Sequence, residues 1–205
     1  ALRDNTVVVI CSDNGPEPGA GSAGPFRGKK TQLYEGGLRS SLVVWAPGLM
    51  AQGQAGQLDQ TAVFAAMDLA PTLLSLAGVR PPEGLDGVDL SKTLLGKESR
   101  SHPGPIFWRR PPDRKTWSPA LPDPQPDLAV REGDWKLLCE YDGSKTLLYD
   151  LAKDPGETND LAAKEPAVTA RLTAALLEWH RAMPADNGPQ LGANPPPGGA
   201  KKKKK

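Results

Sequence analysis

Thr6-Val7-Val8-Val9-Ile10-Cys11-Ser12-Asp13-Asn14-Gly15 runs from an apolar stretch directly into a carboxylate, an amide and a glycine. Val7 to Ile10 are β-branched without alternation, the pattern of a strand covered on both faces in a parallel sheet. In open α/β sheets, ligands bind outside the carboxyl ends of the strands. Asp13 and Asn14 stand at that end with hard oxygen donors of the kind that suit Ca²⁺ or Mg²⁺. Gly15 lets the backbone turn away sharply. Asp-Asn-Gly is equally a common turn sequence, so local chemistry alone leaves both readings open. A buried strand also needs neighbours on both edges, and nothing before Thr6 is long enough to supply one. The expectation is the C-terminal part of a longer protein.

The chain has 205 residues, with 22 Gly, 22 Pro and 38% hydrophobic residues, a loop-rich but globular composition. No run of about 18 apolar residues exists, which excludes a membrane-spanning helix. Charge is balanced, 25 basic against 24 acidic residues, but five of the lysines are Lys201 to Lys205. Without that tail the body has 20 basic and 24 acidic residues, a net charge of −4. A nucleic-acid-binding surface is therefore not indicated. The tail reads as solvated chain, with electrostatic binding of anionic polymers as the alternative. Cys11 and Cys139 have neither zinc nor disulfide-framework spacing and are expected as buried small apolar residues.

Outward from the first strand, Leu42 to Trp45 reads as a second one, ending at Pro47-Gly48. A helix follows, with Asp68 as N-cap and Pro71 in its first turn. Leu69, Leu73, Leu76 and Ala77 share a face, and Gly78 closes it. Strand, loop and helix in this order favour an α/β layer architecture. Between Pro103 and Pro126 lie eight prolines in 24 residues, which argues against regular structure there. Trp108, Arg109, Arg110, Arg114, Lys115 and Trp117 are interleaved with them. Leu128–Val130, Trp135–Leu138 and Thr146–Tyr149 then read as an antiparallel meander joined by Glu132-Gly133-Asp134 and Asp142-Gly143-Ser144. A last helix has Pro166 near its start. Its stripe of Val168, Leu172, Leu176 and Trp179 is expected to cover one side of the meander.

A second candidate segment is Phe26-Arg27-Gly28-Lys29-Lys30, leading to Tyr34-Glu35-Gly36-Gly37-Leu38-Arg39. A lysine near a divalent cation would hold an oxyanion, whereas a solvated loop is the plainer reading. Gly36-Gly37 argue against a helical ion pair between Glu35 and Arg39, which read as loop-fixing residues.

Taken in order, these two stretches, Asp68 to Leu74, Leu85 to Leu90, Arg131 to Leu137, and Leu147 to Leu151 with Asp154, Pro155 and Glu157 resemble the C-terminal half of the formylglycine-dependent sulfatases. The resemblance covers Ala1 to about Met183. It implies an α/β, alkaline-phosphatase-like sheet portion with a small C-terminal antiparallel sheet plus helix subdomain. The division it implies is 1–98 for the α/β part, 99–183 for the subdomain and 184–205 for a flexible tail. It further implies hydrolysis of sulfate esters, of sulfated sugars in particular, with Ca²⁺ as metal. Asp13 and Asn14 would be Ca²⁺ ligands. Lys30, five residues before Glu35, would be the catalytic, sulfate-binding lysine, while Lys29 stands where the family usually has a small residue. Arg109 and Arg110, with Trp108, Arg114 or Trp117, would touch the sulfated sugar. A periplasmic or secreted location is the family expectation.

The chain also departs from the family. It has no Cys or Ser followed by x-Pro-x-Arg, so formylglycine is expected in a preceding part and turnover is not expected of this chain alone. The N-terminal metal aspartates and catalytic histidines have no counterpart, since His102 and His180 lie in other contexts. Ser41 replaces a common proline. Two alternatives stay open. One is phosphate or phosphonate ester hydrolysis, where the superfamily tends to place Asp-His instead of Asp13-Asn14. The other is a non-catalytic module that holds anionic glycans through the lysine tail and the Arg/Trp loop.

Overall fold

A computed structural model describes residues 2–110 and 125–184. The expectations for Arg114, Lys115, Trp117 and the lysine tail lie outside these residues. In chain order the elements are β1 (Val8–Cys11), α1 (Glu35–Leu38), β2 (Leu42–Trp45), α2 (Leu69–Leu76), α3 (Ser91–Leu94), β3 (Ile106–Arg109), β4 (Leu128–Glu132), β5 (Trp135–Cys139), β6 (Leu147–Asp150) and α4 (Pro166–Ala182). Contacts divide the chain into two compact units, Ala1–Gly15 with Arg39–Ile106 and Pro16–Leu38 with Phe107–Lys205.

In the first unit β1 pairs with β2 antiparallel, Val8 opposite Trp45 and Cys11 opposite Leu42. This corrects the expectation of a buried parallel strand. β-Branching selects the extended backbone, but direction and cover come from neighbours, and among the described residues this sheet has two strands. One face of it, Val8, Ile10, Val43 and Trp45, is exposed, Ile10 being 62% and Val43 56% so, while Val9, Leu42 and Val44 are half-buried. Cys11 is likewise exposed, against expectation, whereas Cys139 is buried.

α2 begins after Asp68 as expected, but Asp68 makes no side-chain cap. Its fully buried carboxylate instead accepts hydrogen bonds from the backbone N–H of Ala65 and of Val88, each at 2.9 Å. It also lies 2.8 Å from His102 Nδ1. One turn on, Thr72 Oγ1 accepts from the Leu90 N–H at 3.0 Å. Residues four apart share a helix face, so Asp68 and Thr72 together turn that face toward the Val88–Leu90 segment. The expected apolar stripe is corrected accordingly. Pro71 and Thr72 are the buried residues of α2, and Leu73 is exposed. Gly78 ends the helix at φ +73°, the left-handed conformation expected of it.

Among the described residues the second unit holds a four-stranded sheet in the order β3-β4-β5-β6, antiparallel from β4 to β6. The meander forms as read, with Leu128 opposite Cys139 and Leu137 opposite Leu148. β3 corrects the expectation that Pro103–Pro126 holds no regular structure. Ile106-Phe107-Trp108-Arg109 contains no proline, and an edge position tolerates prolines beside it.

Side chains alternate across the sheet. Leu128, Val130, Leu137, Cys139 and Leu148 pack with Leu172 and Leu176 of α4, flanked by Val168 and Trp179 as the helical stripe predicts. Ala129, Leu138 and Tyr149 face the other way and pack with Leu33 and Tyr34. Residues 16–38 thus join this unit by covering the sheet face that α4 leaves open.

The cover is fastened by buried ions. Lys136 points from β5 to the loop side, its side chain fully removed from water. Its Nζ lies 2.9 Å from Glu35 Oε1 and 3.1 Å from Glu157 Oε1. Arg131 Nη1 reaches Glu35 Oε2 at 3.3 Å. Glu157 Oε2 accepts the Glu35 backbone N–H at 2.6 Å. Burial pushes the Glu157 carboxyl up from its ordinary range, with Lys136 opposing. Arg27 lies over the Tyr34 ring, 3.9 Å from its centre, and donates to Tyr149 Oη at 3.1 Å and Glu157 O at 3.0 Å. Glu35 therefore fixes the loop as expected, but from a short helical turn and from the interior.

Two stability losses follow for chemical denaturation of the complete protein. Leu172→Ala should cost about 2–5 kcal/mol, the range for emptying a packed aliphatic site. Lys136→Met should cost about 3–5 kcal/mol, because Glu35 and Glu157 stay buried without their shared cation. A loss below about 1 kcal/mol for Lys136→Met would show that the ammonium does not hold the loop.

Candidate functional site

Asp13 and Asn14 leave the end of β1 where the sequence places them. Ser12 is stapled to Ser40, its N–H donating to Ser40 Oγ and its carbonyl accepting from that hydroxyl, both at 2.9 Å. Ser12 Oγ donates to the Asn14 carbonyl at 2.9 Å, tightening the tip. Asp13 is exposed, and among the described residues no hydrogen bond or ion pair engages its carboxylate. Asn14 Nδ2 donates to Gly15 O at 2.9 Å, which leaves its Oδ1 as the atom open to a cation.

A carboxylate and an amide oxygen, adjacent and unpaired, fit a hard cation such as Ca²⁺ in chemical kind. They supply two donors where such an ion takes about six to eight. Among the described residues no cluster of three or more His, Cys, Asp or Glu is arranged to hold a metal.

Lys30 lies in the second unit, so the sequence-predicted residues are not brought into one unit. It sits in a four-residue turn closed by the Gln32 N–H donating to Lys29 O at 3.0 Å. Its own N–H donates to Pro16 O at 3.0 Å. Gln32 fastens the turn from inside, Oε1 accepting from the Lys29 N–H at 3.0 Å and Nε2 donating to Gln125 Oε1 at 2.9 Å. Lys30 Nζ pairs with Glu17 Oε2 at 2.9 Å, and both side chains keep substantial contact with water.

The two arginines diverge, as neighbours along an extended chain do. Arg109 is partly exposed and donates from Nη1 to Pro184 O at 3.1 Å. Arg110 is turned inside, 4% exposed, with Nη2 3.5 Å from Asp127 Oδ1. Its backbone N–H donates to Asp127 O at 2.8 Å, and its carbonyl accepts from Tyr141 Oη. The Arg110 guanidinium is committed to the interior, so of the pair only Arg109 is offered to solvent. His102 is bound to Asp68, and His180 lies beside Tyr141 with ring centres 5.2 Å apart. Burial, then the nearby Arg109 charge, push the His180 imidazole below its ordinary pKa.

The Glu35–Lys136–Glu157 cluster escapes a reading by residue type. Its signal was present as Lys136 set between Trp135 and Leu137, a lone charge in an otherwise apolar strand.

The Sulfatase family matches residues 1–79. Human arylsulfatase A is 33% identical over 202 residues, covering 85% of this chain and 37% of its own length. Human N-acetylgalactosamine-6-sulfatase is 42% identical over 118 residues, which is 53% of this chain and 21% of that protein. A solved structure connected with the metabolism of multiple glycosaminoglycans by Bacteroides thetaiotaomicron superposes with a TM-score of 0.68 at 26% identity, covering 89% of this chain and 40% of that one. The chain thus spans well under half the length of these proteins, and their shared architecture is the alkaline-phosphatase-like fold. Residues 1–79 match the Sulfatase family, and most of the chain is similar to the C-terminal part of sulfatases.

Proposed function

We propose that this chain forms the C-terminal part of a hydrolase of sulfate esters, with sulfated sugars as its substrate class. The observation that carries the reading is the tip Ser12-Asp13-Asn14-Gly15, with an exposed and unpaired carboxylate, inside the stretch matched by the Sulfatase family. The sugar class is supported by the relatives, one a sulfatase of an amino sugar and one connected with glycosaminoglycans. In this reading residues 1–98 complete the α/β domain, 99–183 form the C-terminal subdomain and 184–205 a tail.

Asp13 and Asn14 would hold Ca²⁺ through a carboxylate oxygen and Oδ1. When present, Ca²⁺ supplies charge neutralisation and formylglycine the nucleophile of sulfate-ester cleavage. Lys30 receives the anionic sulfate. Its ammonium waits in an ion pair with Glu17, and a pair this exposed is worth only about 0–1 kcal/mol. Exchanging that carboxylate for a sulfate oxygen is therefore cheap, while the cation is in place before the ester arrives. Arg109, with its planar fork on the solvent side, suits a second sulfate or sugar carboxylate.

The test uses the complete protein with matched sulfate and phosphate esters. Asp13→Ala should abolish stoichiometric Ca²⁺ binding by calorimetry. Lys30→Ala should lower kcat/KM for the sulfate ester by about 10²–10³, as for loss of one charge-stabilising donor. Normal activity in both variants, or faster turnover of phosphate, would overturn the reading.

A further inference from the structure

The turn that carries Lys30 contains two local costs in a single residue. Of its central residues, Thr31 has φ +80° while Lys30 is not in the positive range. This is the pattern of a type II turn, whose third position favours glycine. Elsewhere in the same segment positive φ falls to Gly19, Gly24 and Gly28; Thr31 is the exception. A β-branched residue there is a genuine outlier. Its hydroxyl oxygen is also buried without a hydrogen-bond partner among the described residues.

Strained residues persist only where the surroundings over-determine them, and they concentrate at functional sites. Here the surroundings can be named. Gln32 clamps the turn from within through Lys29 and Gln125. Pro16 O holds the Lys30 N–H from outside. Gly37 lets the helical turn approach so closely that a Cβ on it would collide with the carbonyls of Lys29 and Gln32. Two residues earlier, Glu35 is anchored to Lys136 and, through its N–H, to Glu157. The buried ions and the strained turn thus form one mechanical unit.

We propose that Thr31 is a positioning residue, whose strained conformation fixes the direction in which Lys30 leaves the chain. The inference rests on the reading of Lys30 as the sulfate-binding lysine. Glycine would accept the same φ without strain but would leave the turn free to sample other conformations. Thr31, wedged by its neighbours, keeps one. The ordering of Lys30 is then complete before the ester binds, which spares part of the binding energy.

The experiment compares Thr31→Gly, Thr31→Ala and Lys30→Ala in the complete protein. The readouts are KM and kcat for 4-nitrophenyl sulfate, with Tm measured beside them. Thr31→Gly should melt no lower than the parent, because relief of strain offsets the added freedom of the unfolded chain. Its KM should nevertheless rise about five- to thirtyfold, the cost of ordering roughly one residue on binding, with little change in kcat. Thr31→Ala keeps the Cβ and should stay within about twofold of the parent KM. If Lys30→Ala weakens the enzyme but Thr31→Gly leaves KM unchanged, the positioning role is wrong and the Lys30 reading stands. A raised KM in Thr31→Ala would overturn it in favour of direct substrate contact by the hydroxyl. A lowered Tm in Thr31→Gly would overturn it in favour of a purely structural role. If Lys30→Ala is itself without effect, the reading beneath the proposal falls and takes the proposal with it.

Discussion

A lysine ammonium with no exposure to water is the constraint around which the C-terminal unit is arranged. A buried cation is costly unless paired, and removing one member of such a pair leaves the other charge stranded. Lys136 meets this demand with two carboxylates, Glu35 at 2.9 Å and Glu157 at 3.1 Å, and each comes from a different stretch of chain. Tyr34-Glu35-Gly36-Gly37, Asp134-Trp135-Lys136 and Asp154-Pro155-Gly156-Glu157 carry the family resemblance separately. In the fold they converge on one ion cluster. That cluster ties residues 16–38 to a sheet whose first strand begins only at Ile106.

The N-terminal unit solves its own long-range connection in a related way. Asp68, fully buried, gathers Ala65, Val88 and His102, and Thr72 adds Leu90 one turn later. These contacts, rather than the apolar stripe of α2, decide which helix face is inward. In both units a buried acidic side chain joins segments that the chain order keeps apart. The ligand candidates, by contrast, stand at the periphery, Asp13 unpaired among the described residues and Lys30 in a weak, exposed pair. Buried charges hold the scaffold, and the candidate charges stand in contact with water.

Legibility in the sequence followed the range of the interactions. β2, the meander and α4 were readable because period-2 and period-3.6 patterns, Pro166 and the turn glycines act locally. The strand character of β1 was readable too, but not its antiparallel partner or its exposure, which depend on what lies beside it. β3 was hidden because the prolines flanking Ile106–Arg109 dominate the local reading. Asp13 and Asn14 stand out as ligand candidates by their place after a strand, and Lys30 only through the family resemblance, which places a lysine five residues before Glu35. Arg110 could not be separated from Arg109, since two adjacent arginines look alike until a strand sends them to opposite faces. Nor does any local rule foretell that a threonine, among so many glycines, takes the positive φ beside Lys30.

The most direct measurement is a double-mutant cycle between Glu35 and Lys136, using Glu35→Gln, Lys136→Met and the pair, read by chemical denaturation. Strong non-additivity is predicted, with a coupling above about 1 kcal/mol, as for residues in one buried network. Additivity within about 0.3–0.5 kcal/mol, the behaviour of independent sites, would contradict the claim that this contact holds the Lys30 loop to the sheet.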